Sequence, residues 1–137
     1  MPLPARILIV DDERPARDRL RQILADEAAW DVVGEAANGL EALQLAGELA
    51  PDIVLLDIRM PGMEGIEAAH HLNAMDRPPA VVFTTAYDEY AIDAFEARAI
   101  GYVLKPVRRE RRQRQQAERR DAGQADLHEV LWWRTAR

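Results

Sequence analysis

The chain has no cysteine among its 137 residues, a single lysine among its 18 basic residues, and no apolar run longer than the six residues Ala99 to Leu104. Without cysteine there is no disulfide framework, no thiolate zinc site and no thiol nucleophile. Metal chemistry then falls to carboxylates, which favour hard cations such as Mg2+. A membrane span needs about 20 apolar residues, and a secretory leader needs an apolar stretch of about 7 to 15 near the N-terminus. Ile7-Leu8-Ile9-Val10 is far shorter and runs straight into Asp11-Asp12-Glu13. The expectation is a soluble, cytoplasmic protein with no membrane partner. Against 17 arginines, the one lysine, Lys105, marks a place where an ammonium is wanted.

What is present suffices for one compact domain: 48% of the residues are apolar and 31% charged. The net charge of −6 hides a division. Residues 1–106 hold 9 basic and 19 acidic groups, whereas residues 107–137 hold 9 basic and 5 acidic. Seven arginines between Arg108 and Arg120 are interleaved with glutamine rather than with apolar residues. A like-charge run of this kind reads as a solvated face or tail. Only Trp132 and Trp133 offer nearby rings for base stacking, so direct DNA binding by this chain is not expected.

Four short apolar runs, Ile7 to Val10, Ile53 to Leu56, Ala80 to Phe83 and Tyr102 to Leu104, are continuous and rich in β-branched residues. Such runs read as strands covered on both faces, and hence parallel. Val32 to Ala36, interrupted by Gly34 and Glu35, suits an edge strand. Between the runs lie helical stripes. One opens at Pro15 and continues through Leu20, Ile23 and Leu24; a second runs from Gly39 to Leu49. A third carries Gly65, Ala68, Ala69, Leu72 and Met75, and a fourth starts near Asp88 and ends before Gly101. Alternating strands and helices predict βαβ units and a doubly wound α/β sheet.

In open α/β sheets the ligand site lies beyond the carboxyl ends of the strands. The residues following the apolar runs are Asp11-Asp12, Asp57, Thr85 and Lys105. Singly, each has a structural explanation as a cap, a turn or a surface residue. Jointly they place three carboxylates, a hydroxyl and an ammonium on one rim, a set suited to an oxyanion and a divalent cation. His70-His71 offers two imidazoles in a row, but adjacent helical residues point about 100° apart, so both are expected in solvent rather than on a metal. Thr84 is expected to face packing.

Four stretches carry a resemblance over residues 5 to about 107: Ile7-Leu8-Ile9-Val10-Asp11-Asp12-Glu13, Asp52-Ile53-Val54-Leu55-Leu56-Asp57-Ile58-Arg59-Met60-Pro61-Gly62, Thr84-Thr85-Ala86, and Gly101-Tyr102-Val103-Leu104-Lys105-Pro106. In order and spacing they resemble the receiver domain of two-component response regulators. Thr85-Ala86-Tyr87-Asp88-Glu89-Tyr90-Ala91 and Lys105-Pro106-Val107-Arg108 further resemble the branch of alginate regulators, whose output module is a LytTR-type DNA-binding domain. The resemblance implies a flavodoxin-like five-stranded parallel sheet of order 2-1-3-4-5. It also implies that Asp57 accepts a phosphoryl group from a sensor histidine kinase. Mg2+ would be held by Asp12, Asp57 and the Arg59 backbone carbonyl, with Asp11 acting through water. Lys105 would pair with the phosphoryl group, Thr85 would donate its hydroxyl to it, and Tyr102 would turn its ring into the space that Thr85 vacates. It further implies a cis bond before Pro106, and at Arg59 and Tyr87 positions that tune dephosphorylation.

The segment after Val107 departs from that pattern. Between Val107 and Arg120 only Val107 and Ala117 are apolar, too few for the fifth helix of a receiver. Residues 1–107 therefore read as the receiver and 108–137 as an atypical tail, of the composition a frameshifted or truncated regulator would have. Leu127, Val130, Leu131 and Trp132 or Trp133 recur at helical spacing and offer a substitute helix. It would either fold back or dock on a second copy as a domain-swapped homodimer, and the exchanged form is the expectation. Two rivals remain: an unphosphorylated interaction module, and a Mg2+-dependent phosphohydrolase of the haloacid-dehalogenase type. The latter wants a second aspartate where Arg59 stands.

Overall fold

The computed structural model describes residues 3–86, 97–105 and 131. The elements follow in the order β1 (Ala5–Val10), α1 (Arg14–Ala25), β2 (Trp30–Ala36), α2 (Gly39–Leu49), β3 (Ile53–Asp57), α3 (Gly65–Asn73), β4 (Ala80–Thr85) and β5 (Gly101–Leu104). The five strands form one sheet of order β2-β1-β3-β4-β5, and every pairing is parallel. This is the doubly wound sheet expected from the continuous apolar runs. The expected fourth helix, the bond to Pro106 and all of the tail but Leu131 lie outside the described residues.

Strand side chains alternate between two cores, as the two-residue period requires. Leu8 and Val10 of β1, Val54 and Leu56 of β3, and Val81 and Phe83 of β4 pack under Ala42 and Ala46 of α2 and Ala68, Ala69 and Leu72 of α3. Ile7, Ile9, Ile53, Leu55, Val82 and Val103 face the other way, onto Leu20, Ile23 and Leu24 of α1. Leu131 is fully buried in this second core. A tail residue thus supplies part of the core on the α1 face, the surface that a substitute helix would cover.

Local chemistry explains the element ends. Pro15 sits in the opening turn of α1, where its missing N–H costs nothing. Asn38 caps α2 by accepting from the Glu41 amide at 2.8 Å, and Glu41 Oε1 accepts in return from the Ala37 amide. The third helix ends at Asn73, short of the expected Met75. The Ala74 and Met75 amides turn back to His71 and Leu72 carbonyls and tighten the last turn. His70 and His71 are exposed, as expected.

Candidate functional site

The strands deliver their end residues to one rim. Asp57 is the last residue of β3 and Thr85 the last of β4, one position inside the strands rather than just beyond them. Asp11 follows β1 directly, and Lys105 follows β5. The ladder continues past the strand ends: the Ile58 amide donates to the Thr84 carbonyl at 3.2 Å and the Lys105 amide to the Thr85 carbonyl at 2.7 Å. Asp12, Glu13, Asp57, Arg59, Thr85, Ala86 and Lys105 line a cavity of about 300 Å3.

Within it, Lys105 Nζ lies 2.9 Å from Asp11 Oδ2 and 3.4 Å from Asp57 Oδ1. Carboxylate oxygens of Asp11, Asp12 and Asp57 all come within 4.8 Å of one another. Asp11 is fully buried and Asp12 exposed. Asp11 does not cap α1; its Oδ1 accepts from the Glu13 amide at 2.9 Å, so both its oxygens are engaged. Burial of Asp57, with the Asp11 carboxylate beside it, outweighs Lys105 and raises its carboxyl from 3.8 to about 7. Burial also opposes charge on Lys105, but hydrogen bonding and charge from Asp11 and Asp57 more than offset it and hold the ammonium above the usual lysine value.

Three carboxylates against one ammonium leave an excess of negative charge that a divalent cation would relieve. An all-oxygen donor set at this separation fits Mg2+, which takes one or two carboxylates and keeps several waters. Thr85 is buried at the rim. Tyr102 is buried too, packed with Phe83 in the α2/α3 core, in the position that the resemblance assigns to the switch aromatic.

Two parts of the site were not legible beforehand. Gly65 opens α3 against the end of β3: a Cβ there would stand 2.2 Å from the Asp57 carbonyl oxygen and 2.8 Å from Ile58 Cα. The Gly65 amide donates to the Ile58 carbonyl at 2.7 Å, so the glycine lets the helix seat directly under Asp57. In sequence it is only one small residue of a helical stripe. The second is the pair of arginines on α1, Arg17 and Arg21, that meet Glu35 of β2.

A parallel 2-1-3-4-5 sheet with an acidic cluster and a lysine at its carboxyl rim defines a receiver-like phosphoacceptor fold. The chain belongs to the response regulator receiver domain family, whose profile matches residues 7–115. It is 51% identical over 105 residues to the positive alginate biosynthesis regulatory protein of Pseudomonas aeruginosa, covering 76% of this chain and 42% of that protein. Identity to the sensory transduction protein LytT of Bacillus cereus is 45% over 106 residues, 77% of this chain and 43% of that one. The chain thus spans under half the length of these relatives. Among solved structures, the response regulator domain of Thermotoga maritima CheB superposes with a TM-score of 0.78 at 29% identity, over 98% of both chains. No described helix is long and apolar enough to cross a membrane.

Proposed function

We propose that this chain is a phosphorylatable switch in a two-component relay, taking a phosphoryl group from a sensor histidine kinase onto Asp57. The observation that carries the reading is the Lys105 ammonium set between the Asp11 and Asp57 carboxylates in the wall of the cavity. In the transfer an Asp57 carboxylate oxygen forms a bond to phosphorus as the P–N bond of the donor phosphohistidine breaks. The imidazole leaves with the electron pair and is protonated from solvent. Phosphoryl transfer asks the protein for positioning and charge neutralisation rather than covalent chemistry.

Asp12, Asp57 and the Arg59 backbone carbonyl would hold Mg2+, with Asp11 acting through the ion's water. When bound, Mg2+ supplies positive charge that offsets the carboxylates and the incoming phosphoryl oxygens. Lys105 pairs with the phosphoryl group as a compact, flexible point charge, a task for which a planar guanidinium is less suited. Thr85 donates its hydroxyl to a phosphoryl oxygen, and Tyr102 follows into the space that opens. The added charge of about −1.5 to −2 shifts the domain toward the conformation whose contacts to it are better.

In this reading residues 1–107 form the receiver and 108–137 a separate tail, and the protein works in the cytoplasm as a switch for a transcriptional output rather than as an enzyme on a diffusible substrate. The receiver itself makes no DNA contact. Leu131 in the α1-face core supports a substitute helix on that face, which we expect to be exchanged between two copies. A sedimentation mass of two chains at micromolar concentration is the expected result, and a mass of one would overturn the exchange in favour of a folded-back tail.

The test is intact-protein mass after incubation with a small-molecule phosphodonor and Mg2+. One phosphoryl adduct is expected, absent in Asp57→Asn and in EDTA. No adduct on folded protein would overturn the reading in favour of an unphosphorylated interaction module.

A further inference from the structure

β2 is irregular at one point. Ile7 of β1 pairs with Val32, but Leu8 pairs with Gly34, so Val33 is an extra residue in the edge strand. The insertion changes which way everything after it faces. Past the bulge, Glu35 pairs with Ile9, whose side chain faces α1, and Ala36 pairs with Val10, whose side chain faces α2 and α3. In an unbroken register Glu35 would sit opposite Val10 and project from the wrong face. The bulge therefore presents a carboxylate to α1, where Arg17 and Arg21, one turn apart, both reach it. Arg17 Nε is 3.0 Å from Glu35 Oε1, and Arg21 Nε is 2.6 Å from Oε2.

Arg17 does more than pair. With Nε on Glu35, its Nη1 donates to the Asp11 backbone carbonyl at 2.7 Å. Every polar group of Asp11 is then engaged: the amide donates to the Ala36 carbonyl at 3.1 Å, Oδ1 accepts from Glu13, Oδ2 accepts from Lys105, and the carbonyl accepts from Arg17. The peptide unit is planar, so fixing the Asp11 carbonyl fixes the plane from which Asp12 departs. Asp12 is the exposed carboxylate of the cluster, so its direction depends on the backbone that carries it. Arg17 is largely shielded, with 16% of its side chain exposed, so the grip on the carbonyl is protected from competing water.

We propose that Arg17, oriented by Glu35, is a positioning residue for the acidic pocket: it holds the Asp11–Asp12 peptide and thereby sets how well Asp12 and its neighbours bind a divalent cation. The inference rests on the reading of the pocket as a Mg2+-assisted phosphoacceptor site. A guanidinium is required because its planar fork presents Nε and Nη1 to two acceptors at once, whereas an ammonium on a flexible stem has no fixed fork to orient. Partners that orient metal ligands are typically worth about 10- to 100-fold in metal affinity.

The experiment is calorimetric titration of Mg2+ into the unphosphorylated full chain, with amide hydrogen exchange at Glu13 measured in metal-free protein. Arg17→Ala is expected to weaken Mg2+ binding about tenfold and to speed Glu13 exchange by a similar factor. Arg17→Lys and Glu35→Gln, which each keep part of the clamp, should fall between Arg17→Ala and the unmodified chain; if Arg17→Ala does not fold, these two decide. Arg21→Ala removes the other partner of Glu35 without touching Asp11 and should leave both readouts within about twofold. Unchanged exchange and affinity in the Arg17 variants would overturn the proposal, as would an Arg21→Ala effect equal to that of Arg17→Ala. If the unmodified chain binds no Mg2+, the pocket reading fails, while the exchange rates still show whether Arg17 holds the turn.

Discussion

β3 carries an aspartate at each end of its apolar run, and the two ends are built differently. Asp52, just before the strand, accepts from the Arg6 amide at 2.8 Å, while its own amide donates to the Arg6 carbonyl and its carbonyl accepts from Ala80. The Arg6 guanidinium turns to the Leu49 and Ala50 carbonyls at the end of α2. Here an acid and a base each close an open backbone group, and the result ties β1, β3 and β4 together at their amino ends. Asp57 at the other end is surrounded by two more carboxylates and shares a single ammonium with Asp11. The same residue type is a fastener where its partners are backbone groups, and a carboxyl of raised pKa where it is buried beside like charges.

The comparison can be broken hardest by crowding the Asp57 end. Gly65→Ala would drive a Cβ into the Asp57 backbone, and we expect a loss of about 3 kcal/mol in urea unfolding, or failure to fold. Removing the charge there should have the opposite sign. In EDTA at pH 8, Asp57→Asn should stabilise the chain by roughly 2 kcal/mol, since the pocket is partly open to solvent and the full shift is not realised. The folded carboxyl holds its proton up to about 7, against 3.8 ordinarily, so the folded chain binds more protons between those values. The Asp57 contribution to stability therefore falls as pH rises through that window, and the gain from Asn should shrink when pH is lowered below it.

At the fastening end the sign reverses again. Asp52→Ala removes the acceptor for the Arg6 amide and should cost about 1 kcal/mol in urea unfolding. Beside Asp57 on β4, Thr84 buries a hydroxyl with no hydrogen-bond partner among the described residues. Thr84→Val keeps its shape and should gain up to about 1 kcal/mol in the same assay. The smallest effect concerns Glu35, whose carboxyl is held below its ordinary 4.5 chiefly by its hydrogen bond to Arg21, with Arg17 adding to this against the cost of burial. Its contribution is fully present above that ordinary value and is lost as pH falls through the lower folded one. Glu35→Gln should flatten the acid limb of the stability profile, read by circular dichroism from pH 5 to 2.

The sheet was legible because its strands are covered on both faces and so run as unbroken apolar stretches. Their order in the chain, with a polar residue at each end, was enough to assemble Asp11, Asp12, Asp57, Thr85 and Lys105 on one rim. The single lysine was informative for the same reason: an ammonium there meets two carboxylates. Gly65 was read only as part of a helical stripe, because a close approach between a helix start and a strand end leaves no periodic trace. The Arg17–Glu35 contact joins residues whose meeting depends on a one-residue bulge.

Composition, apolar runs and the four motif stretches thus determined on their own the α/β architecture and the membership of the acidic pocket, since strand ends follow from where hydrophobicity stops. Only the tertiary structure decided which carboxylates share the ammonium, that Asp57 is held near neutrality, and that Arg17 grips the Asp11 carbonyl. Those properties arise from distance, burial and register between segments far apart in the chain, and no local pattern of residues encodes them.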